Sequence, residues 1–530
     1  MVNLRSGLVA LFAVLLMALP TATRAGQLDD ALLKFTHDTY SDTEAAVAGV
    51  AESGQPRAEA IIGALQAGLL FAGNGTVVIR DPSGAFFDAA SGEAMRATSF
   101  KPVRVNNRVR RAIEAALGGL TLLNPDPRKR MDASAAVFRA RDSAVLPLLD
   151  KALAQESDQR VKVAMIEARA AIILNQPDSS PADRLAAVAT LRNLGNQNAL
   201  ALLTTMPVGA TPELNEAART AAEAISANLA LWSAAQNVWY GLSLGSVLLL
   251  AAIGLSITFG TMGIINMAHG EMVMIGAYTT FVVQELIRTH EPGLFGASLF
   301  IALPLAFLIA GLIGVAIERL VIRFLYGRPL ETLLATWGLS LMLQQAVRTI
   351  FGPSNREVGT PDWMSGAAQI GGLSLTYNRI AIVIFAFAVF AALLLVLRFT
   401  TLGLHMRAVT QNRRMAGSVG IRTNRVDALA FGLGSGVAGI AGVALSQIDN
   451  VSPNLGQGYI IDSFLVVVFG GVGNLWGTLV GAMTLGVANK LLEPYAGAVL
   501  GKILLLAAII LFIQRRPRGL FALRGRAAEA

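Results

Sequence analysis

Three polar side chains that could bind a solute occur close together inside a long apolar run. Residues 254–281 read GLSITFGTMGIINMAHGEMVMIGAYTTF, with Asn266, His269 and Glu271 near the centre. Hydrocarbon contains no water to bond polar groups, so these side chains must face protein or an aqueous cavity. An amide, a neutral imidazole and a carboxyl group suit a small polar solute, which predicts a substrate route. The alternative is a water-facing turn between two spans.

The sequence carries no motif for enzymatic chemistry. The four histidines, His37, His269, His290 and His405, are too scattered for a metal motif such as H-E-x-x-H. The absence of cysteine excludes thiolate metal sites and thiol catalysis, and no complete phosphate loop is present. We therefore expect no metal, no cofactor and no catalytic residue. Any ATP would be bound by another subunit.

The composition is that of a membrane protein. Of the 530 residues 54% are hydrophobic, and the mean hydropathy is +0.56. Long apolar runs dominate residues 234–514, whereas residues 26–230 are mixed and polar. The net charge of +8 comes with arginines clustered beside apolar runs, without an aromatic-interleaved basic face. We therefore expect contact with membrane lipid and none with nucleic acid.

These patterns predict four segments. Residues 1–25 resemble a cleaved secretory signal peptide, with an uncleaved first membrane anchor as the alternative. Residues 26–230 would then be an exported, mainly helical domain, and residues 231–515 a transmembrane domain, which the resemblance described below makes a permease domain. Residues 516–530 would be a basic cytoplasmic tail.

The exported domain has two recognisable patterns. Residues 76–88 predict a small β-hairpin with a Pro-Gly turn. Helical stripes beginning at Asp158 and Asp183 resemble the inner helices of HEAT-like α-repeats, and an ordinary helical bundle has nearly the same signature.

The apolar half predicts a mostly α, polytopic membrane fold with about eight or nine spans. They are placed at 234–258, 264–287, 297–319, 329–351, 378–398, 425–447, 459–473, 475–491 and 496–514. The segments around 459–491 are short and glycine-broken, so they could be re-entrant. Arginines cluster at 319–328, at 398–425 and after 514, which places these regions in the cytoplasm and the long loop 352–377 outside.

Small residues recur at helix-packing spacing within these spans. Such rows let helix backbones approach closely in lipid. Glycine-broken segments near 260–270 and 470–481, one in each half, also indicate a substrate site near the middle of the membrane. The packing glycines are Gly432, Gly436, Gly473, Gly477 and Gly481.

Three ordered motifs resemble the permeases of branched-chain amino-acid-type ABC importers. They are NMAHGE at 266–271, followed by MIGAY at 274–278, then MRAVTQNRRMA at 406–416, and VFGGVGN at 468–474. The resemblance covers about 234–514 and implies a bacterial inner-membrane transport subunit. It adds Asn474 to Asn266, His269 and Glu271 as substrate-pathway residues.

The long exported domain departs from that pattern, because such permeases usually begin almost directly with their first span. In this respect the chain resembles the permease subunits of urea ABC importers. The resemblance implies four partners: a second homologous permease, two cytoplasmic ATPases and a periplasmic urea-binding protein. Urea is neutral, and Asn266 and neutral His269 would suit it; an amino acid or short amide remains open from the membrane segments.

The basic internal loop 399–424 predicts an ATPase-coupling helix at 404–418. Its apolar residues Met406, Val409 and Met415 would enter a groove on the ATPase while arginines meet acidic rims. The alternative is a helix lying on anionic lipid. The predicted coupling residues are Arg407, Ala408, Gln411, Arg413, Arg414, Met415, Ala416 and Gly420.

Two functions of other classes fit parts of the sequence. A passive channel or ion-coupled carrier would also lack a nucleotide site. A membrane-anchored sensor would need far fewer spans than this chain carries.

Overall fold

The computed structural model describes residues 28–53, 55, 57–81, 84–95, 100–176, 178–206 and 210–521. The predicted signal peptide lies outside the described residues, as does 522–530 of the predicted tail. The chain divides into two compact units, residues 1–230 and 231–530, which we call the front unit and the membrane unit.

The front unit combines helices with one small sheet. Its helices are 28–34 (α1), Tyr40–Glu52 (α2), Ala58–Gln66 (α3), Asn107–Thr121 (α4), Pro127–Ala140 (α5), Leu146–Gln155 (α6), Gln159–Asn175 (α7), Pro181–Leu194 (α8) and Gln197–Thr204 (α9). Its strands are Leu70–Gly73 (β1), Thr76–Arg80 (β2), Phe86–Asp88 (β3), Ala94–Met95 (β4) and Lys101–Pro102 (β5).

The predicted hairpin is confirmed, because β2 and β3 pair antiparallel with Val78 opposite Asp88. It belongs to a five-stranded sheet of order β4-β3-β2-β1-β5, which the sequence analysis did not predict. The sheet packs on α2 to α4 through a core that includes Ile61, Leu70 and Ile113.

Most of the helices after the sheet begin at residues whose side chains cap them. Asp158 Oδ1 accepts a hydrogen bond from the Arg160 amide at 2.9 Å, and Ser180 Oγ accepts one from the Asp183 amide at 3.1 Å. These bonds satisfy amides that have no partner within the helix. Gly195 ends α8 with a φ of 62°, as a left-handed cap requires. Helices α7 and α8 therefore begin and end close to the predicted stripes and pack on each other.

The membrane unit is built from long helices and one β-hairpin. The helices are Pro212–Met262 (α10, which starts in the front unit), His269–His290 (α11), Ser298–Leu320 (α12), Pro329–Phe351 (α13), Tyr377–Phe399 (α14), Thr401–Gln411 (α15), Arg413–Ser418 (α16), Thr423–Leu445 (α17), Leu455–Gly470 (α18) and Leu475–Arg515 (α19). The strands Ala367–Ile370 (β6) and Leu373–Thr376 (β7) form the hairpin.

The packing of this unit is that of a protein surrounded by hydrocarbon. Along α12 small buried residues recur every fourth position: Ala302, Ala306, Ala310 and Gly314. Large apolar side chains point outward instead, and Leu312 is 67% exposed. Small residues inside and large apolar residues outside are typical of helices that associate in lipid.

Among the residues that the structure describes, five helical segments are long and apolar enough to cross a membrane. They are Pro212–Met262, Pro292–Leu320, Tyr377–Phe399, Thr423–Leu445 and Leu475–Arg515. The last contains the predicted spans 475–491 and 496–514, separated where Gly497 leaves the helical conformation (φ 75°, ψ 165°). The mostly α, polytopic fold is thus confirmed, and eight or nine crossings stay a prediction.

Candidate transport site in the membrane unit

The polar trio lies at a break between two helices. Helix α10 ends at Met262, and Gly263 takes a φ of 70°, in the left-handed region that glycine tolerates. The chain then runs without helical structure until α11 begins at His269. This break falls within the glycine-broken segment predicted near 260–270, although Gly260 and Gly270 themselves lie within the flanking helices.

The broken backbone is bonded to protein. Asn266 is buried, and its Oδ1 accepts a hydrogen bond from the Ala268 amide at 3.0 Å. The Met267 amide donates to Thr336 Oγ1 of α13 at 3.2 Å. Both bonds replace helical hydrogen bonds that hydrocarbon could not supply.

His269 links the break to α10. Its Nε2 lies 2.9 Å from the Ala251 carbonyl oxygen. A carbonyl only accepts, so Nε2 carries the proton, and the assignment of this tautomer follows from that contact. The buried Nδ1 has no hydrogen-bond partner among the described residues. A second proton on Nδ1 would place a buried charge without a partner, so the ring is assigned as neutral, with Nδ1 as an available acceptor.

Glu271 is held by two neutral donors. Only 1% of the residue is exposed, and its Oε1 accepts hydrogen bonds from Ser340 Oγ and Gln344 Nε2, both at 2.8 Å. Its Oε2 is buried and unpartnered in the part of the chain that the structure describes. We call Glu271, Thr336, Ser340 and Gln344 the Glu271 cluster. The Glu271 carboxyl group thus keeps one oxygen, Oε2, available for a further hydrogen-bond donor.

A second free polar group lies on the same helix. Tyr278 is two turns beyond Glu271 and so on the same face of α11. Its ring packs on Phe351 with centroids 4.7 Å apart, while its hydroxyl is buried with no hydrogen bond to any described residue. The Tyr278 hydroxyl and Glu271 Oε2 can thus each take part in one more hydrogen bond.

Asn474 lies at the start of α19 and not at the break between α10 and α11. It precedes α19, where its Oδ1 accepts hydrogen bonds from the amides of Trp476 and Gly477 at 3.0 and 3.2 Å. Asn474 thus acts as a helix cap. Its described hydrogen bonds do not connect it to Asn266, His269 or Glu271, and its role in the pathway stays a prediction.

The predicted coupling helix is two helices. Asn412 separates α15 from α16, and its Oδ1 caps α16 at the Met415 amide at 2.9 Å. The expectation that Met406 and Val409 face an ATPase is wrong, because both are buried in the chain's own core. Met415 is 61% exposed, as an outward-facing contact residue would be. The stretch is amphipathic, but most of its apolar side is already occupied.

The remaining predicted coupling residues divide between inward and outward positions. Arg413 forms an ion pair with buried Asp427. Arg407 donates to the Leu397 carbonyl oxygen, and Ala416 is buried. Gln411 and Arg414 are exposed, as is Gly420, which has a φ of 94°. Ala408 accepts a hydrogen bond from the Asn412 amide at 3.1 Å.

The predicted packing glycines lie at close helix contacts. A Cβ on Gly432 would lie 2.6 Å from Val315 Cγ2, and one on Gly436 would lie 2.7 Å from the Phe307 ring. Cβ atoms on Gly477 and Gly481 would lie 2.1 and 2.9 Å from backbone oxygens of α18. Gly473 has a φ of 76° in the turn before α19. These helices could not approach as closely with larger residues.

Comparison with known proteins assigns the membrane unit. Residues 237–513 match the family described as "Branched-chain amino acid transport system / permease component". The chain belongs to this permease family. No solved structure is significantly similar to it.

Relatives of the permease are transport proteins. The permease is 32% identical over 295 residues to the high-affinity branched-chain amino acid transport system permease protein LivH of Salmonella typhimurium, covering 54% of this chain and 94% of LivH. It is 30% identical over 292 residues to BraD of Pseudomonas aeruginosa, a permease protein described in the same terms, with the same coverage. The ribose import permease protein RbsC of Escherichia coli is 31% identical over 109 residues, 19% of this chain and 34% of RbsC.

The family match includes the whole Glu271 cluster and leaves residues 1–236 outside. Thr336, Ser340 and Gln344 are not among the residues predicted from the sequence. A readable signal existed, because Thr332, Thr336, Ser340 and Gln344 recur every fourth residue along α13. Such spacing puts all four on one face, which is buried here.

Proposed function

We propose that this chain is a permease subunit of an ABC importer in a bacterial inner membrane. It would form the path with a second homologous permease, while two cytoplasmic ATPases supply the energy and a periplasmic binding protein delivers the solute. The observation that carries the proposal is the Glu271 cluster beside a helix break, within a unit of the permease family. Buried polar groups in a membrane bundle are costly and mark transport paths.

For the solute, the relatives favour a branched-chain amino acid, because LivH and BraD are described as permeases for that class. The start of α11 at His269 supports this choice. A helix N-terminus carries partial positive charge, which would attract a substrate carboxylate inside the membrane.

Urea is the second candidate. The donors bound to Glu271 are the neutral Ser340 and Gln344, and the unpartnered groups are a hydroxyl and single acceptor atoms. Urea has four N–H donors and one carbonyl acceptor, so such groups suffice to bind it without a counter-charge. The exported domain predicted at 26–230 supports the same choice through the resemblance to urea permeases.

The test is uptake by the reconstituted complex. Liposomes with this chain, the second permease, the ATPases and the binding protein are given radiolabelled leucine or urea, with and without ATP. We expect ATP-dependent uptake of one of the two. Equal uptake without ATP by the purified chain alone would indicate a passive channel and refute the importer.

A deletion of residues 26–225 that retains the signal peptide tests the front unit. If that unit, which we place in the periplasm, receives the binding protein, the deletion abolishes uptake while the membrane unit still assembles with the ATPases. Unchanged uptake would leave the front unit with an accessory role.

A further inference from the structure

We propose that Arg413, Tyr326 and Met262 act as positioning residues that transmit movement of the coupling segment, helices α15 and α16, to the helix break at Gly263. This inference rests on the proposed function, because it requires an ATPase to move that segment. It names the path within this chain, which nothing above has assigned.

The path begins with an ion pair. Arg413 is the first residue of the short helix α16, and its guanidinium bonds both carboxylate oxygens of Asp427 on α17, at 3.2 Å for Nη1 to Oδ1. The Asp427 side chain is 0% exposed. Separating the guanidinium from this buried carboxylate would be costly, so we expect α16 and α17 to move together.

Tyr326 continues the path. The Arg413 Cζ lies 4.7 Å from the centroid of the Tyr326 ring, in cation–π contact. The Tyr326 hydroxyl donates to Glu318 Oε1 of α12 at 2.9 Å and lies 3.3 Å from Met262 Sδ. One side chain thus touches the coupling segment, α12 and the last residue of α10.

Met262 is the final step. It directly precedes Gly263, where the backbone leaves the helix, and six residues separate it from His269. The non-helical residues in between include Met267, whose amide bonds Thr336 of the Glu271 cluster. The backbone after Gly263 is not held by helical hydrogen bonds, so it can follow a displacement of Met262. Through the Met267 amide that displacement would change the candidate transport site.

The test compares solute moved per ATP hydrolysed in the reconstituted complex, with radiolabelled leucine and urea as probes. Tyr326→Phe keeps the ring over Arg413 but removes the bond to Glu318 and the contact with Met262. We expect ATP hydrolysis to continue and the transport ratio to fall about tenfold, the effect of one lost hydrogen bond to a charged group. Tyr495→Phe is the matched control, because Tyr495 is 91% exposed, and its ratio should not change.

Arg413→Lys is the second variant. Lysine keeps the positive charge near Asp427 but loses the planar fork and the stacking on Tyr326. We expect a similar fall in the ratio, and no further fall in the double variant, since both changes interrupt the same path. Normal ratios in the assembled variants, or multiplying losses in the double variant, would overturn the inference; if Tyr326→Phe does not assemble, the Arg413→Lys ratio decides. A wild-type complex without ATP-dependent uptake would instead refute the proposed function.

Discussion

Replacement of Gln344 by leucine tests the Glu271 cluster most directly. Leucine has a similar volume but cannot donate to Glu271 Oε1, which keeps Ser340 as its remaining donor. A hydrogen bond contributes about 1.5–3 kcal/mol when one partner is charged and about 0.5–1.5 kcal/mol when both are neutral. Such bonds average about 0.6 kcal/mol in one membrane protein, with a maximum of about 1.7. Because the carboxyl oxygens are buried, we expect Gln344→Leu to lower the free energy of unfolding by about 1.5–2 kcal/mol.

The neighbouring residue supplies the matched control. Gln345 is exposed, so Gln345→Leu makes the same chemical change without touching Glu271. We expect a change within about 0.5 kcal/mol, as for surface substitutions in general. In a Glu271→Ala background, Gln344→Leu should likewise cost little, because the acceptor is already gone.

Tryptophan fluorescence during an SDS titration in mild detergent measures these differences. All five tryptophans lie in the membrane unit, so the signal does not report on the front unit. The residues are Trp232, Trp239, Trp337, Trp363 and Trp476. Equal losses from Gln344→Leu and Gln345→Leu, or an unchanged loss in the Glu271→Ala background, would refute the reasoning.

Three further predictions concern packing, pH and docking. Gly276→Ala would place a Cβ 2.0 Å from the Gly439 carbonyl oxygen and should destabilise the membrane unit by about 1–3 kcal/mol in the same titration, whereas Gly338→Ala, with no atom within 4 Å of its Cβ, should not. The Arg130 guanidinium, hydrogen-bonded to Glu156, holds the pKa of that carboxyl below its usual value. The stabilisation from this ion pair is therefore full above about pH 4.3, the ordinary glutamate pKa, and is lost as the pH falls through the lower pKa of Glu156 in the folded protein. Hydrogen exchange of peptides from α5 and α7 should show this pH dependence, and Glu156→Gln should remove it. An unaltered pH profile in the variant would contradict the prediction. Arg414→Glu should reduce copurification of the ATPase subunits, because Arg414 is exposed on the stretch predicted to contact them; full copurification would contradict that prediction.

The central polar residues were predictable because their signal is local. Asn266, His269 and Glu271 interrupt an apolar run, and Gly263 permits the break beside them. Their partners were not predicted, because Ser340 and Gln344 lie 69 and 73 residues beyond Glu271. The four-residue period along α13 indicates a buried polar face, but periodicity does not identify what that face contacts.

In the coupling segment, too, the sequence pattern identifies a buried face but not what that face contacts. The apolar positions at Met406 and Val409 indicate an amphipathic helix correctly, yet they pack inside the chain and not against a partner. An amphipathic pattern fixes which face is buried and leaves its partner open. For the same reason the ion pair of Arg413 with Asp427 was not predicted: Arg413 is one basic residue in a basic loop, and only the tertiary structure identifies its partner. In the front unit, the strands β4 and β5 have two residues each, too few to produce a readable alternation.

The helix break is contacted at both of its ends by side chains from other parts of the membrane unit. On one side, Met262 touches Tyr326 and, through it, the Arg413–Asp427 pair. On the other side, the Met267 amide bonds Thr336. A continuous helix across 262–269 would tie these groups by a hydrogen bond at every residue and would resist local displacement. The non-helical segment is instead held by a few side-chain bonds, so under our proposal a shift at Met262 would move Glu271 and its donors without unfolding either helix.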